Sequence, residues 1–362
     1  MKNRIQILDG FRALAILSVV LYHFFSRWAS LYPYGSRYDH FEHGASGVQF
    51  FFLISGFVIY FTLENTDTFK AFWIKRFIRL FPSMLFASIL TFAIIRLFDR
   101  SGFFWQSHQL RYLVGSWTFI SPSVFHFFHI NLGYTDGSYW SLWPEVEFYL
   151  FSSTLFFLNR KNFFRNFIIT SAILIAAREF IFKHEEDAYP GLLVCLPFFA
   201  MGALFYQLWK IVQLNRKPGA LHYFGLAFFA GYMLYSADVL VVRVLYALMI
   251  SLFFVFIYAP RFLGFLTTPV ITKIGTSSYF LYLIHQNIGV LAINKFAGYF
   301  EPFGFVCTIL LIVGLIAFSI WFTEKVEKKF SGMLKTLLLR SPSKPKPASR
   351  EFRQVVSEDQ AR

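Results

Sequence analysis

Long apolar stretches dominate the sequence and constrain its fold more than any other feature. A helix that crosses a bilayer needs about 20 predominantly apolar residues. Stretches of roughly this length cover residues 8–28, 48–63, 81–98, 140–158, 164–182, 192–209, 220–237, 239–258, 277–293 and 303–322. Because a segment in lipid must satisfy its own backbone hydrogen bonds, each stretch is expected to be a helix. The sequence therefore predicts an all-α, polytopic transmembrane helical bundle of about ten helices.

The composition supports this fold class. Hydrophobic residues make up 56% of the chain and charged residues only 15%, whereas soluble domains carry about 25% charged residues. The 51 phenylalanines can face lipid at little cost but would favour aggregation in water. Cys195 and Cys307 both lie in apolar stretches, so we expect neither a disulfide framework nor a metal site.

The net charge of +14 is compatible with nucleic-acid binding or with membrane topology. The basic residues lie in short runs between apolar stretches, which is typical of the positive-inside pattern, so no nucleic-acid partner is expected. Alternate connections carry Lys2, Arg4, Lys70, Lys75, Arg76, Arg79, Arg160, Lys161, Arg165, Lys210, Arg216, Lys217, Arg261, Lys273, Lys325, Lys328 and Lys329. The other connections carry Asp39, Glu42, Glu185, Glu186, Asp187, Asp238 and Glu301. This alternation over ten crossings predicts that both termini are cytoplasmic.

Two regions lie outside the apolar stretches. The connection 99–139 is the longest and is rich in aromatic residues, so we expect short helices folded onto the outer membrane surface. Residues 336–362 contain Pro342, Pro345 and Pro347 among lysines and serines, which predicts a disordered cytoplasmic tail. Residues 1–335 are expected to form one transmembrane domain.

Arg12 and His23 are the sharpest candidates for chemistry, because ionisable side chains within a span are costly. They lie eleven residues apart in the first stretch, which at about 100° per residue places both on nearly the same helix face, about 16 Å apart along the axis. A structural interpretation is also open. Arg12 could extend to the membrane surface while His23 forms a hydrogen bond inside the bundle.

Several further blocks, in order along the chain, resemble one known family. They are LDGFRALAILSVVLYHF (from Leu8), GVQFFFLISGFVI (from Gly47), KRFIRLFPS (from Lys75), WSLWPEVEFY (from Trp140), IGTSSYFLYLIH (from Ile274) and EKKF (from Glu327). Together they are similar to the acyltransferase-3 family of integral-membrane acyltransferases, whose mark is an arginine, ten residues and a histidine. The sequence departs from the family at Gln49, where an acidic residue is usual, and at Lys329, where a proline is usual.

The resemblance implies transfer of an acyl group, usually acetyl from cytoplasmic acetyl-CoA, to a hydroxyl of a cell-surface glycan or glycolipid. The enzyme would lie in the bilayer, as a multi-pass protein of the bacterial inner (cell) membrane, with no metal. On this basis we assign the site residues as follows: Arg12, His23 and Glu145 to catalysis, Arg76 and Arg79 to the acyl-CoA, and Trp140, Ser141, Tyr279 and His285 to substrate binding.

Elementary chemistry agrees with these roles. Transfer to a hydroxyl needs a base, and an imidazole suits that task, so His23 is the first candidate. Glu145 is the next candidate, either as the base or as the carboxylate that fixes the tautomer of His23. Pro144 is tolerable only if its helix begins near Ser141, which would put Glu145 in the first turn at the outer membrane boundary.

Arg76 and Arg79 lie three residues apart on a segment expected to be cytoplasmic and could form a fork for CoA phosphates. The positive-inside rule alone would also explain them. The stripe that includes Tyr279 and His285 could belong either to the core or to the site. We further expect one continuous polar cavity from the two arginines to His23, with Glu145 near its far end.

Two other functions fit parts of this pattern. A membrane transporter would also place arginine and histidine inside the bilayer, but should show an inverted repeat, and the sequence has no such symmetry. A catalytically inactive relative could act as an interaction subunit, which the substitution at Gln49 keeps open.

Overall fold

The computed structural model describes residues 5–181, 191–300 and 303–339, and within these ranges the chain is helical with no strand. In chain order the α-helices are α1 (Gln6–Leu21), α2 (Gly47–Glu64), α3 (Phe69–Phe98), α4 (Leu110–Thr118), α5 (Pro122–Phe127), α6 (Leu142–Leu158), α7 (Phe163–Ile181), α8 (Gly191–Gln213), α9 (Ala220–Tyr235), α10 (Leu240–Tyr258), α11 (Pro269–Phe296), α12 (Gly304–Phe322) and α13 (Lys328–Leu338). Wider π-helical turns follow α1 at Tyr22–Ser26 and α12 at Thr323–Glu327.

The predicted all-α membrane protein is confirmed in this coarse form. Each apolar stretch of the sequence falls on one of the long helices. Six segments of the described chain are long and apolar enough to cross a membrane: Gln6–Ser26, Glu42–Glu64, Phe69–Phe98, Gly191–Gln213, Leu240–Tyr258 and Gly304–Leu338.

The other four long helices do not meet this description, for identifiable reasons. Helices α6 and α9 have only 17 and 16 residues. Helix α7 carries charged residues near both ends, and α11 contains a run of buried polar residues at its centre. Ten crossings and the side on which the termini lie therefore stay predictions.

The start of α3 corrects one expectation. The third apolar stretch was expected to begin at residue 81, with Arg76 and Arg79 on a cytoplasmic connection. Instead α3 begins at Phe69, where the Thr68 side chain accepts a hydrogen bond from the Ala71 backbone N–H at 3.1 Å. Because the helix runs through Pro82 without a break, both arginines project from the same helix that continues into the apolar stretch.

Two other local predictions are confirmed. Helix α6 begins at Leu142 with Ser141 as its N-terminal cap, so Pro144 and Glu145 both lie in the first turn. The connection 99–139 contains the short helices α4 and α5. The acidic run Glu185, Glu186 and Asp187, together with Lys2, Arg4, Glu301 and the tail beyond residue 339, lies outside the described residues.

Glycines set the closest helix contacts in the bundle. A Cβ atom added at Gly202 of α8 would lie 1.9 Å from the Leu53 carbonyl oxygen of α2, and one added at Gly56 would lie 2.0 Å from the Phe199 carbonyl oxygen. Backbones this close are possible only where a side chain is absent from the contact. The pair α2 and α8 is therefore fixed by two reciprocal glycine contacts.

We predict that Gly202→Ala destabilises the protein, because the added methyl group forces α2 and α8 apart at a cost of about 1–3 kcal/mol. The measurement is thermal unfolding of the detergent-solubilised protein. Gly231→Ala is the matched control, since Gly231 lies within α9 and its added Cβ would point into open space, with no side chain or other helix of the described chain within 4 Å. Equal melting temperatures for the two variants would contradict the tight α2–α8 contact.

Candidate functional site

A cavity lies inside the bundle, between α1, α2, α3, α6 and α11. Its empty space is about 810 Å³ including the part open to solvent. The charged and hydroxyl-bearing residues in its wall include Arg12, Arg76, Arg79, Ser141, Glu145 and Tyr279. The structure therefore brings six of the nine predicted site residues to one cavity, from four different helices and the cap of α6.

Arg76 has hydrogen-bonding capacity that the described residues do not use. One Nη donates weakly to the Thr62 hydroxyl at 3.4 Å, and the guanidinium carbon lies 5.7 Å from the Phe72 ring centre and 5.8 Å from that of Tyr149. Its buried Nε has no hydrogen-bond partner within the described ranges. A buried guanidinium N–H without a partner is costly, which points to a ligand that completes the site.

Arg79 is held by an ion pair. Its Nη1 lies 2.9 Å from Oε1 of Glu327, a buried carboxylate in the π-turn after α12. The guanidinium carbon also lies 5.4 Å from the ring centre of Tyr279, whose hydroxyl donates to the Leu80 carbonyl at 3.2 Å. Sequence reasoning did not identify Glu327 as a site residue, although it opens the EKKF block.

Arg12 also has a carboxylate partner, since its Nη1 lies 2.9 Å from Oδ1 of Asp9, one turn earlier on α1. Asp9 is buried, and Arg12 is part-exposed on the cavity side. The pairing explains how an arginine is tolerated on an otherwise apolar helix.

Glu145 lies in the same cavity as the arginines, which corrects its expected position beside His23. Its Oε1 accepts hydrogen bonds from the Ser55 hydroxyl at 2.8 Å and from the Tyr149 hydroxyl at 2.5 Å. The predicted role of fixing the His23 tautomer is not supported, because the side chain that hydrogen-bonds to the Nδ1 of His23 is His285, on α11.

His23 lies in the π-turn after α1 and is buried. Its Nδ1 lies 2.9 Å from the Val19 carbonyl oxygen and 3.3 Å from Nε2 of His285. The two imidazole rings meet edge to face, with centres 4.8 Å apart. The Nδ1 of His285 lies 2.7 Å from the Tyr282 carbonyl oxygen.

Tyr282 lies between the cavity and the histidine pair. It lines the cavity, and its ring centre is 5.5 Å from that of His285. Its hydroxyl donates to the Ser138 carbonyl at 2.7 Å and accepts from the Ser141 hydroxyl at 2.9 Å. Neither histidine belongs to the described cavity wall, so the expectation of a continuous cavity to His23 is wrong.

Trp140 lies apart from the cavity. Its side chain is half-exposed, and its ring approaches Phe52 edge-on, with centres 6.3 Å apart. Trp140 is therefore next to Ser141 in the sequence but, unlike Ser141, does not line the cavity.

Asp136 is a buried residue that sequence reasoning missed. Its Oδ1 accepts from the backbone N–H of Ser138 at 2.8 Å, and its Oδ2 accepts from the backbone N–H of Asn287 at 3.0 Å. Burial raises the pKa of Asp136 to about 6, although these hydrogen bonds act in the opposite direction. Asp136 therefore joins the connection that precedes α6 to Asn287 of α11, which lies two residues after His285. Its only sequence signal was its place just before the tryptophan-serine block.

We predict that Tyr282→Phe lowers the stability of the protein by about 1–3 kcal/mol, because it leaves the buried Ser138 carbonyl and Ser141 hydroxyl without their shared partner. Thermal unfolding in detergent measures the effect. Tyr223→Phe provides the control, because Tyr223 is exposed on α9. A melting temperature for Tyr282→Phe equal to that of the control would show that the hydroxyl does not join α11 to the start of α6.

Comparison with known proteins gives a consistent result. The sequence profile of a family described as "Acyltransferase domain" (Acyl_transf_3) matches residues 5–324. The chain is 28% identical over 229 residues to the protein named "Putative O-acetyltransferase SACOL0978" of Staphylococcus aureus strain COL, an alignment that covers 58% of this chain and 36% of that protein. It is 25% identical over 361 residues to the O-acetyltransferase OatA of Staphylococcus aureus strain NCTC 8325 / PS 47, with 89% of this chain and 57% of OatA covered.

The chain thus spans 36% and 57% of the length of these two relatives. No solved structure matches the chain.

Proposed function

Because this chain belongs to the acyltransferase-3 family and is thus an acyltransferase for groups other than amino-acyl groups, we propose that it is a multi-pass membrane O-acyltransferase. It would transfer an acetyl group from cytoplasmic acetyl-CoA to a hydroxyl of a cell-surface glycan or glycolipid. Both termini would be cytoplasmic, in a bacterial cell membrane. A transporter or an inactive relative would instead fail to turn over acetyl-CoA.

The observation that carries the proposal is the presence of three guanidinium groups in the wall of one cavity within the bundle. Arginine forms paired hydrogen bonds with phosphate oxygens, and these are strong where water is excluded. Arg76 fits this role best, since its buried Nε has no partner in the described ranges. Arg79 is already paired with Glu327. It would therefore attract the phosphates through its positive charge but offer them few free hydrogen-bond donors.

The acyl end of the donor would lie toward Tyr282, where the cavity ends. Ser141, whose hydroxyl donates to that of Tyr282, would contact the acyl end of the donor. Tyr279, whose ring faces the Arg79 guanidinium, would contact the donor nearer its phosphates. Glu145, held by Ser55 and Tyr149, would orient the donor within the cavity. Trp140, whose half-exposed ring lies outside the cavity, would offer an aromatic surface to the acceptor.

His23 would act as the general base. The acceptor oxygen forms the new ester bond to the acyl carbon while the thioester C–S bond breaks and CoA leaves as the thiolate. The proton of the acceptor hydroxyl passes to the imidazole of His23 and from there to the leaving sulfur. Because Tyr282 separates the cavity from the histidines in the structure, its side chain must shift for the thioester to reach His23.

We predict that His23→Ala lowers acetyl transfer by about 100-fold or more, the contribution expected of a general base. The assay measures transfer of radiolabelled acetyl-CoA in membranes of cells that express the chain, normalised to protein level. His126→Ala, in the exposed helix α5, is the control and should retain full activity. Retention of more than about a tenth of the activity by His23→Ala would rule out the role, given that expected loss.

We predict that Arg76→Ala raises the KM for acetyl-CoA by about tenfold or more, since a hydrogen bond to a charged group contributes about 1.5–3 kcal/mol. Arg76→Lys should restore only part of this affinity, because an ammonium group lacks the planar pair of donors. Arg261→Ala removes an exposed basic residue from a connection with the same predicted topology and should leave the KM unchanged. Full restoration by lysine would indicate that the charge serves topology.

A further inference from the structure

The histidine pair has a hydrogen-bond arrangement that fixes where each proton lies. A backbone carbonyl can only accept a hydrogen bond. The Nδ1 of His285 lies 2.7 Å from the Tyr282 carbonyl oxygen, so this nitrogen carries the proton. The Nε2 of a neutral His285 is then a lone pair, and it faces the Nδ1 of His23 at 3.3 Å.

The same reasoning applies to His23. Its Nδ1 lies 2.9 Å from the Val19 carbonyl oxygen, so this nitrogen also carries the proton. That single N–H is shared between the carbonyl of Val19 and the lone pair of His285. The basic lone pair of His23 is therefore on Nε2. The Gln286 side chain is a further hydrogen-bond partner of His23.

We propose that His285 is a positioning residue that holds His23 with its Nε2 as the proton acceptor. This inference rests on the proposed function, because it assumes that His23 takes the proton of the acceptor hydroxyl. When Nε2 receives that proton, the His23 Nδ1–H becomes the donor of a charged imidazolium and its bond to His285 strengthens. His23 holds this proton until it is given to the leaving sulfur and does not pass it to His285, which remains neutral.

Three features of the described structure make His285 suited to this task. It is fully buried, so its lone pair does not face solvent. Its orientation is set on α11 by the backbone carbonyl of Tyr282, a contact that does not depend on where the Tyr282 side chain lies. The hydrogen bonds of Glu145, the nearest candidate carboxylate from sequence, go to Ser55 and Tyr149 instead. A neutral imidazole thus takes the place that a carboxylate holds in many catalytic triads.

Two conservative variants of His285 separate positioning from packing. In His285→Gln the amide oxygen can occupy the place of Nε2, so an acceptor for His23 is retained. In His285→Asn the amide nitrogen can occupy the place of Nδ1, so the bond to the Tyr282 carbonyl is retained while the acceptor for His23 is lost. We expect His285→Asn to lower kcat roughly 10- to 100-fold, the factor that one hydrogen bond to a charged group supplies. We expect His285→Gln to retain most of the wild-type kcat.

The assay is radiolabelled acetyl transfer in membranes of cells that express the full chain, with the KM for acetyl-CoA measured alongside kcat. The KM should be unchanged in both variants, because His285 does not line the donor cavity. If His285→Asn were as active as His285→Gln or more active, the proposal would be overturned, because that order is expected if only the contact to the Tyr282 carbonyl matters. An active His23→Ala variant would instead overturn the proposed function.

A measurement on the unmodified protein keeps the inference testable even if both variants fail to fold. ¹⁵N NMR of histidine-labelled protein distinguishes imidazole tautomers, and the signals of His23 are identified by their loss in His23→Ala. We expect Nδ1 protonated and Nε2 unprotonated in both His23 and His285. A proton on Nε2 of either ring would overturn the assignment whatever the activity of the variants.

Discussion

The close contact between α1 and α11 is the interaction on which the rest of the site depends. At one end, a Cβ atom added at Gly275 would lie 1.8 Å from the Asp9 carbonyl oxygen. At the other end, one added at Gly289 would lie 2.1 Å from the Phe24 ring. Because both glycines lack a side chain, the two helices approach each other along most of their length. The histidine pair lies beside the second contact and could not form if the helices were farther apart.

The second constraint is the cost of burying charge in the bundle. Each ion that is buried without a partner costs several kcal/mol. Two of the arginines meet it with carboxylates, Arg12 with Asp9 and Arg79 with Glu327. Arg76 meets it only partly, with aromatic rings and a weak bond to a hydroxyl. The difference divides the three groups into two that are paired with carboxylates and one whose buried Nε has no partner within the described ranges.

Sequence periodicity predicted the features that depend on local chemistry. The helical segments and the start of α6 before Pro144 follow from hydropathy and proline geometry. Contacts between residues far apart in the chain could not be predicted in this way. The partner of His23 is His285, 262 positions away, and that of Arg79 is Glu327, 248 positions away. Such pairs depend on how the helices are arranged, which a single sequence does not specify.

Helix α11 carries a further consequence for how the protein is made. Its length of 28 residues is ample for a membrane crossing, but its buried polar centre, with His285, Gln286 and Asn287, keeps it from being apolar enough to enter lipid as an independent segment. Helix α12 is strongly apolar, and its Phe322 stacks on Phe280 of α11 with ring centres 3.7 Å apart. In an apolar bilayer α11 would therefore depend on its packing partners, α12 among them, to keep these polar side chains away from lipid.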